Sequence, residues 1–155
     1  MKINAKEEQG ITLVTLIIMI VLLLIISSIA YSTGSNVIQN SRLTVFTTEL
    51  EVMQTEVDSL YKDYKNGDST VLEIGQNLQN TEQENIAFAG AGISDKTGYK
   101  YYNKATLEEL GIEAVDQELL VNIETKSVIS LKGVQDGDQI YYTIEQVPNS
   151  KYIVK

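Results

Sequence analysis

"LTVFTTELEVMQTEVDSLYKDYKNGD", residues 43–68, carries the pattern on which the fold turns. Its large apolar residues Leu43, Phe46, Leu50, Met53, Val57, Leu60 and Tyr64 recur at alternating spacings of three and four. That period marks one face of a helix, because two turns take about seven residues. Polar residues, Thr47, Glu49, Glu51, Glu56 and Asp58 among them, occupy other positions. An apolar stripe has to be covered. The spacing suits a coiled-coil stalk and, better, a helix laid on the chain's own sheet. The helix is expected to end at Lys65-Asn66-Gly67-Asp68, where Asn-Gly favours a turn.

Upstream the pattern changes. Ile11 to Tyr31 contains no charge, and its polar interruptions are Thr12, Thr15, Ser27 and Ser28. As a helix this run measures about 31 Å, close to the roughly 30 Å of a hydrocarbon core. Hydroxyls in such a segment bond back to their own helix carbonyls. Three uses compete: a secretion signal cut near Ser28-Ile29-Ala30, a single-span anchor, and the apolar core of an assembly. A secretion signal has a basic leader and a short apolar run. Here Leu13–Ile26 is already long, and Lys2 and Lys6 are offset by Glu7 and Glu8. The join at Ser32–Asn36 holds Gly34, which costs about 1 kcal/mol relative to alanine in a helix interior. It reads as a looser turn within one long helix.

Composition narrows the chemistry. The chain has 155 residues, a net charge of −9, no cysteine and no histidine. Disulfides, thiolate metal sites, histidine triads and histidine-rich metal centres are therefore excluded. An acidic head repels phosphate backbones, so no nucleic acid is expected as a partner. No catalytic, metal or cofactor site is expected. Gly90-Ala91-Gly92 before Ser94-Asp95-Lys96-Thr97 lacks the spacing of a phosphate loop. Asp136 and Asp138 flank a glycine without the later ligands of a calcium loop, so a solvated turn is expected. Tyr99, Tyr101, Tyr102, Tyr141 and Tyr142 read as half-buried strand residues.

In the C-terminal part, Thr81-Glu82-Gln83-Glu84 fits a capping box opening a short helix that Gly90 and Gly92 close. Asn103 caps a second, Lys104–Leu110, with Gly111 just past its end. Short β-like runs follow at Glu118–Ile123, Ser127–Leu131, Gln139–Ile144 and Lys151–Val154. Their spacing predicts a three- or four-stranded antiparallel meander with one face on the amphipathic half of the long helix.

The start of the apolar run adds a resemblance. Gly10 is followed directly by Ile11-Thr12-Leu13 after a short polar leader. The segment Gly10–Ala30 resembles the N-terminal methylation segment of type IV pilins and pseudopilins, in the Gram-positive style reading "GITL…LLLI". The C-terminal strands are similar to those of some pilin-like proteins, more loosely. The resemblance implies cleavage after Gly10 by a prepilin peptidase and methylation of Ile11 by its N-methyltransferase activity. It implies assembly with other pilin-like subunits, as a pilin, minor pilin or pseudopilin of a type IV pilus or a related secretion or competence filament. The family usually carries a glutamate at the fifth mature position, which is Thr15 here. A threonine accepts a hydrogen bond but cannot balance a buried amine.

The expected fold is thus α+β and pilin-like. A long N-terminal helix, membrane-spanning in its first half and amphipathic in its second, packs on a small antiparallel sheet. The segments are a leader (1–10), a transmembrane and assembly helix (11–31), its amphipathic continuation (32–66) and a head (67–155). Lys2 and Lys6 favour a single-pass, N-in and C-out placement before assembly, held in the membrane by residues 11–31, and a surface filament afterwards. The alternative is a single-span anchored protein whose head binds a partner without polymerising.

Overall fold

A computed structural model describes residues 5–148, with the side chains of 13–25, 27 and 37–148 among them. The chain is α+β and divides into two compact units, residues 1–39 and 40–155. Helix α1 (Ala5–Lys65) contributes to both. Its backbone stays helical through residues 32–36, so the looser turn expected around Gly34 does not form. One glycine costs less than the hydrogen bonds that a break in the helix would forfeit.

The membrane-spanning half and the single-pass placement are corrected here. No helix among the described residues is long and apolar enough to cross a membrane.

In the second unit, Leu43, Phe46, Leu50, Met53, Val57 and Leu60 are buried along one face of α1, and Tyr64 is partly buried at its end. Thr47, grouped by sequence with the outer polar residues, is buried as well. Its hydroxyl donates to the carbonyl of Leu43 at 3.0 Å, which satisfies it inside the helix. After Lys65 the chain turns through Gly67 at φ +103°, a conformation that suits glycine. Asp68 then caps a short 3-10 helix, Ser69–Glu73, by accepting from the Thr70 amide.

The sheet is antiparallel in the order β1 (Gln76–Asn77), β2 (Lys100–Tyr102), β3 (Leu119–Asn122), β4 (Ser127–Ser130). Its β3–β4 register pairs Leu119 with Ser130 and Asn122 with Ser127. Helix α2 (Glu82–Gly90) has the expected capping box at Thr81, and α3 (Lys104–Glu109) is capped by Asn103. Strand β1, which the sequence reading did not contain, and β2, of which it had only the tyrosines, complete the sheet in place of the later runs. Strand β6 (Gln139–Tyr141) instead pairs with β5 (Val134–Asp136) in a separate hairpin, and Ile144–Gln146 is a 3-10 turn. The run Lys151–Val154 and residues 1–4 of the leader lie outside the described residues.

Both faces of the sheet are covered, which explains why all four β3 residues are buried. Leu119, Val121 and Ile123 join the α1 stripe in one cluster with Tyr102, Leu107 and Val128. Leu120 and Ile129 point the other way, into a smaller cluster with Ala87 and Phe88 of α2, Tyr99 and Tyr142. Alternate side chains of one strand thus serve two layers. Tyr99, Tyr102 and Tyr142 are buried outright, while Tyr101 and Tyr141 are half-buried as expected.

Candidate assembly surface

In the first unit α1 presents an unusual surface. The large apolar side chains from Leu13 to Ile25 are each between 48% and 66% exposed, and they occur on every side of the helix. Val37 and Ile38, further along in the same unit, are 59% and 55% exposed. A helix that is apolar all round is the kind found buried among other helices. Fully burying one such side chain stabilises by about 1.5–3 kcal/mol. Continuous apolar area of this sort marks an interaction surface, whereas single exposed apolar residues are ordinary. Leucine and methionine favour the helical state, and the stiff β-branched residues lose little more once their rotamers are fixed.

Of the sequence-identified positions here, Gly10 and Ile11 lie within the helical backbone of α1, and their surroundings fall outside the described side chains. Thr15 is exposed among the apolar residues. The stripe from Leu43 to Tyr64 is placed differently, inside the core of the second unit. The two apolar patterns of α1 therefore have different surroundings, exposed in one unit and packed against the sheet in the other.

Sequence reasoning did not find the polar contacts that seat the stripe. The β3–β4 turn rests on the end of α1. Gln54 Nε2 donates to the Lys126 carbonyl at 3.1 Å, and Lys126 Nζ lies 3.1 Å from the Asp58 carboxylate. The same ammonium sits 5.4 Å from the centre of the Tyr61 ring. The Tyr64 hydroxyl donates to Glu124 at 3.0 Å, and that bond, with the Glu124 charge, raises its pKa. Higher up, Glu49 accepts from Gln117 Nε2 at 2.8 Å. Spacing in the sequence gives no sign of these pairs, which lie about 60 to 70 residues apart.

The clefts of the head offer no comparable chemistry. One of about 600 Å³ is lined by Glu49, Lys104, Asp116, Glu118 and Lys132 among others, with an exposed Lys104–Asp116 pair at 3.6 Å. The Glu118 carboxylate is occupied by the Tyr101 hydroxyl. Among the described residues no group of carboxylates is placed to hold a metal ion. The glycine pair at 90 and 92 closes α2 instead of following a strand, and Lys96 binds Asn85 and lies over the Phe88 ring. Asp136-Gly137-Asp138 forms the tight turn of the β5–β6 hairpin.

No family model matches the chain, and no curated protein or solved structure is significantly similar to it.

Proposed function

We propose that this protein is a non-enzymatic structural subunit, a pilin, minor pilin or pseudopilin, of a type IV pilus or a related secretion or competence filament. One observation carries the reading: the exposed, all-round apolar stretch Leu13–Ile25 begins three residues after Gly10 on a helix whose later stripe is the core of a folded head. Gly10-Ile11 supplies the processing point, cut by a prepilin peptidase and methylated on the new N-terminus. The apolar stretch packs against the corresponding helices of other subunits. Such packing needs only apolar, closely fitting helix faces. The head sets lateral contacts and presents the outer surface. Thr15 gives the stretch a hydroxyl in place of the family's usual carboxylate, which favours a minor position over the main shaft.

The test is the first residue of the mature chain, read by intact mass and N-terminal sequencing of protein from its native host. Methylated Ile11 is expected, and Gly10→Val is expected to leave the precursor uncut. A chain that keeps Met1, or one that starts at Tyr31, overturns the proposal.

A further inference from the structure

The turn that ends α1 carries a chemical liability that the assembly reading does not use. Asn66 and Gly67 are both exposed, and Gly67 has φ +103° with open space where a Cβ would stand. Asn66 is the only asparagine in the chain followed by glycine. Its side-chain amide has no hydrogen-bond partner among the described residues. Four other asparagines of the head are held. Asn77 accepts from Lys100 at 2.7 Å, Asn103 from the Thr106 amide at 3.0 Å, and Asn122 from the Thr125 amide at 3.1 Å. Asn85 accepts from Lys96.

We propose that Asn66-Gly67 is a self-modification site, at which the chain converts its own asparagine to an aspartyl or isoaspartyl residue. A solvent base removes the amide proton of Gly67. The freed nitrogen attacks Cγ of Asn66 and forms a new C–N bond. The bond from Cγ to the side-chain nitrogen breaks, and that nitrogen takes up a proton from water and leaves as ammonia. Water then opens the cyclic imide at either carbonyl, which gives the two products. No oxidant or cofactor is needed. Glycine at 67 matters because it puts no side chain in the way of the attack and permits the backbone rotation that the ring requires.

Local bonding sets the pace. The Gly67 amide donates to the Tyr64 carbonyl at 3.0 Å and the Asp68 amide to Asp63 at 3.0 Å, so the reaction waits for this last turn to open. Helix ends open far more readily than cores. The product adds a negative charge at the C-terminal end of α1, beside Asp63 and Asp68, where the helix dipole already disfavours one. The isoaspartyl form also lengthens the backbone, which strains the two turn bonds next to the Tyr64–Glu124 contact. For a subunit held long in one assembly, the site records age and loosens the seat of the β3–β4 turn.

The experiment incubates the full chain at mildly alkaline pH, natively and in guanidinium, and follows tryptic peptides by mass. Isoaspartyl residues are counted by enzymatic methylation. The first amide-to-acid mass gain is expected in the peptide that begins at Asn66, faster with rising pH and fastest in guanidinium. Asn66→Gln should remove both that gain and the methylation signal. Asn66→Asp, the charge product alone, should shift the unfolding equilibrium by about two- to five-fold toward the unfolded state. The proposal is overturned if another asparagine converts first. It is equally overturned if native Asn66 stays intact over a period in which the guanidinium-unfolded chain reacts fully.

Discussion

Two stretches of one helix show how far a hydrophobic pattern reveals its partner. Residues 13–25 are apolar in every direction and stay about half exposed, whereas residues 43–60 are apolar on one stripe and buried there. They differ in composition and in angular distribution: the first holds no charged residue, while the second carries Glu49, Glu51, Glu56 and Asp58 off its stripe. A stripe matches a single flat neighbour, and the chain supplies one in its own sheet. An apolar cylinder would need neighbours on all sides, more than one face of a four-stranded sheet offers. The first pattern is left exposed, and the second is met by tertiary contacts within the chain.

Breaking the stripe should give the largest effect. Leu50 is fully buried, and Leu50→Ala is expected to cost about 2–5 kcal/mol, read from urea unfolding of the full chain by its tyrosine signals. A cost below about 0.5 kcal/mol would mean that the stripe does not form the core. On the far side of the sheet, a Cβ at Gly90 would come within 2.2 Å of the Tyr142 ring. Gly90→Ala should cost about 1–3 kcal/mol, since the ring must move to admit it. Thermal unfolding compared with the Leu50 variant shows whether the two sheet faces melt together.

Buried tyrosines sharpen the comparison by pH. Burial, followed by the bond to Glu118 and its charge, pushes the Tyr101 pKa from 10 up to about 12. Burial, with Glu56 nearby, raises that of Tyr102 as well. A raised tyrosine pKa means that the fold favours the neutral phenol. Its contribution is complete below pH 10 and is lost as pH rises from 10 toward about 12. Tyr101→Phe should flatten part of that alkaline loss in a pH series of unfolding midpoints. Tyr102 adds a second effect, because its buried hydroxyl has no hydrogen-bond partner among the described residues. Tyr102→Phe is expected to raise stability by about 1 kcal/mol at neutral pH, by removing an unsatisfied polar group.

The smallest change in stability should come from the other end of α1. Leu22→Ser, at a residue 48% exposed, is expected to alter unfolding by less than about 0.5 kcal/mol. Sedimentation of the same variant should nevertheless show weakened self-association. If it unfolds much more easily while associating normally, the exposed stretch serves the fold and not the assembly.

Much of the local structure was legible in the sequence because its causes are local. The stop at Asn66-Gly67, the capping box from Thr81 to Glu84 and the cap at Asn103 depend on residues within one turn of each other. The strand pairing was not. Gln76-Asn77 carries little β signal of its own and Lys100–Tyr102 only that of its two tyrosines, yet they pair with each other, and Tyr101 with Leu120, because the sheet gives them partners. The run Gln139–Ile144 carries more, and it splits between a separate hairpin and a 3-10 turn. Thr47 looked like a surface residue and is buried, since a hydroxyl bonded to its own helix makes no demand on the core. The candidate surface was visible as uncharged sequence, but its reading as a membrane span was not upheld among the described residues.

By itself the sequence determined the helix, the two apolar patterns along it, the caps, the stops and the absence of histidine and cysteine chemistry. These are properties of residue type and spacing, and no distant contact is needed to express them. Only the tertiary structure decided that Leu43–Leu60 is covered by the chain's own sheet while Leu13–Ile25 remains exposed, that β1 and β2 complete the sheet, and that Lys126 and Glu124 seat its turn on α1. Those outcomes rest on pairings between residues far apart in the chain. Such pairings carry a loop-closure cost that is offset only when the whole core forms.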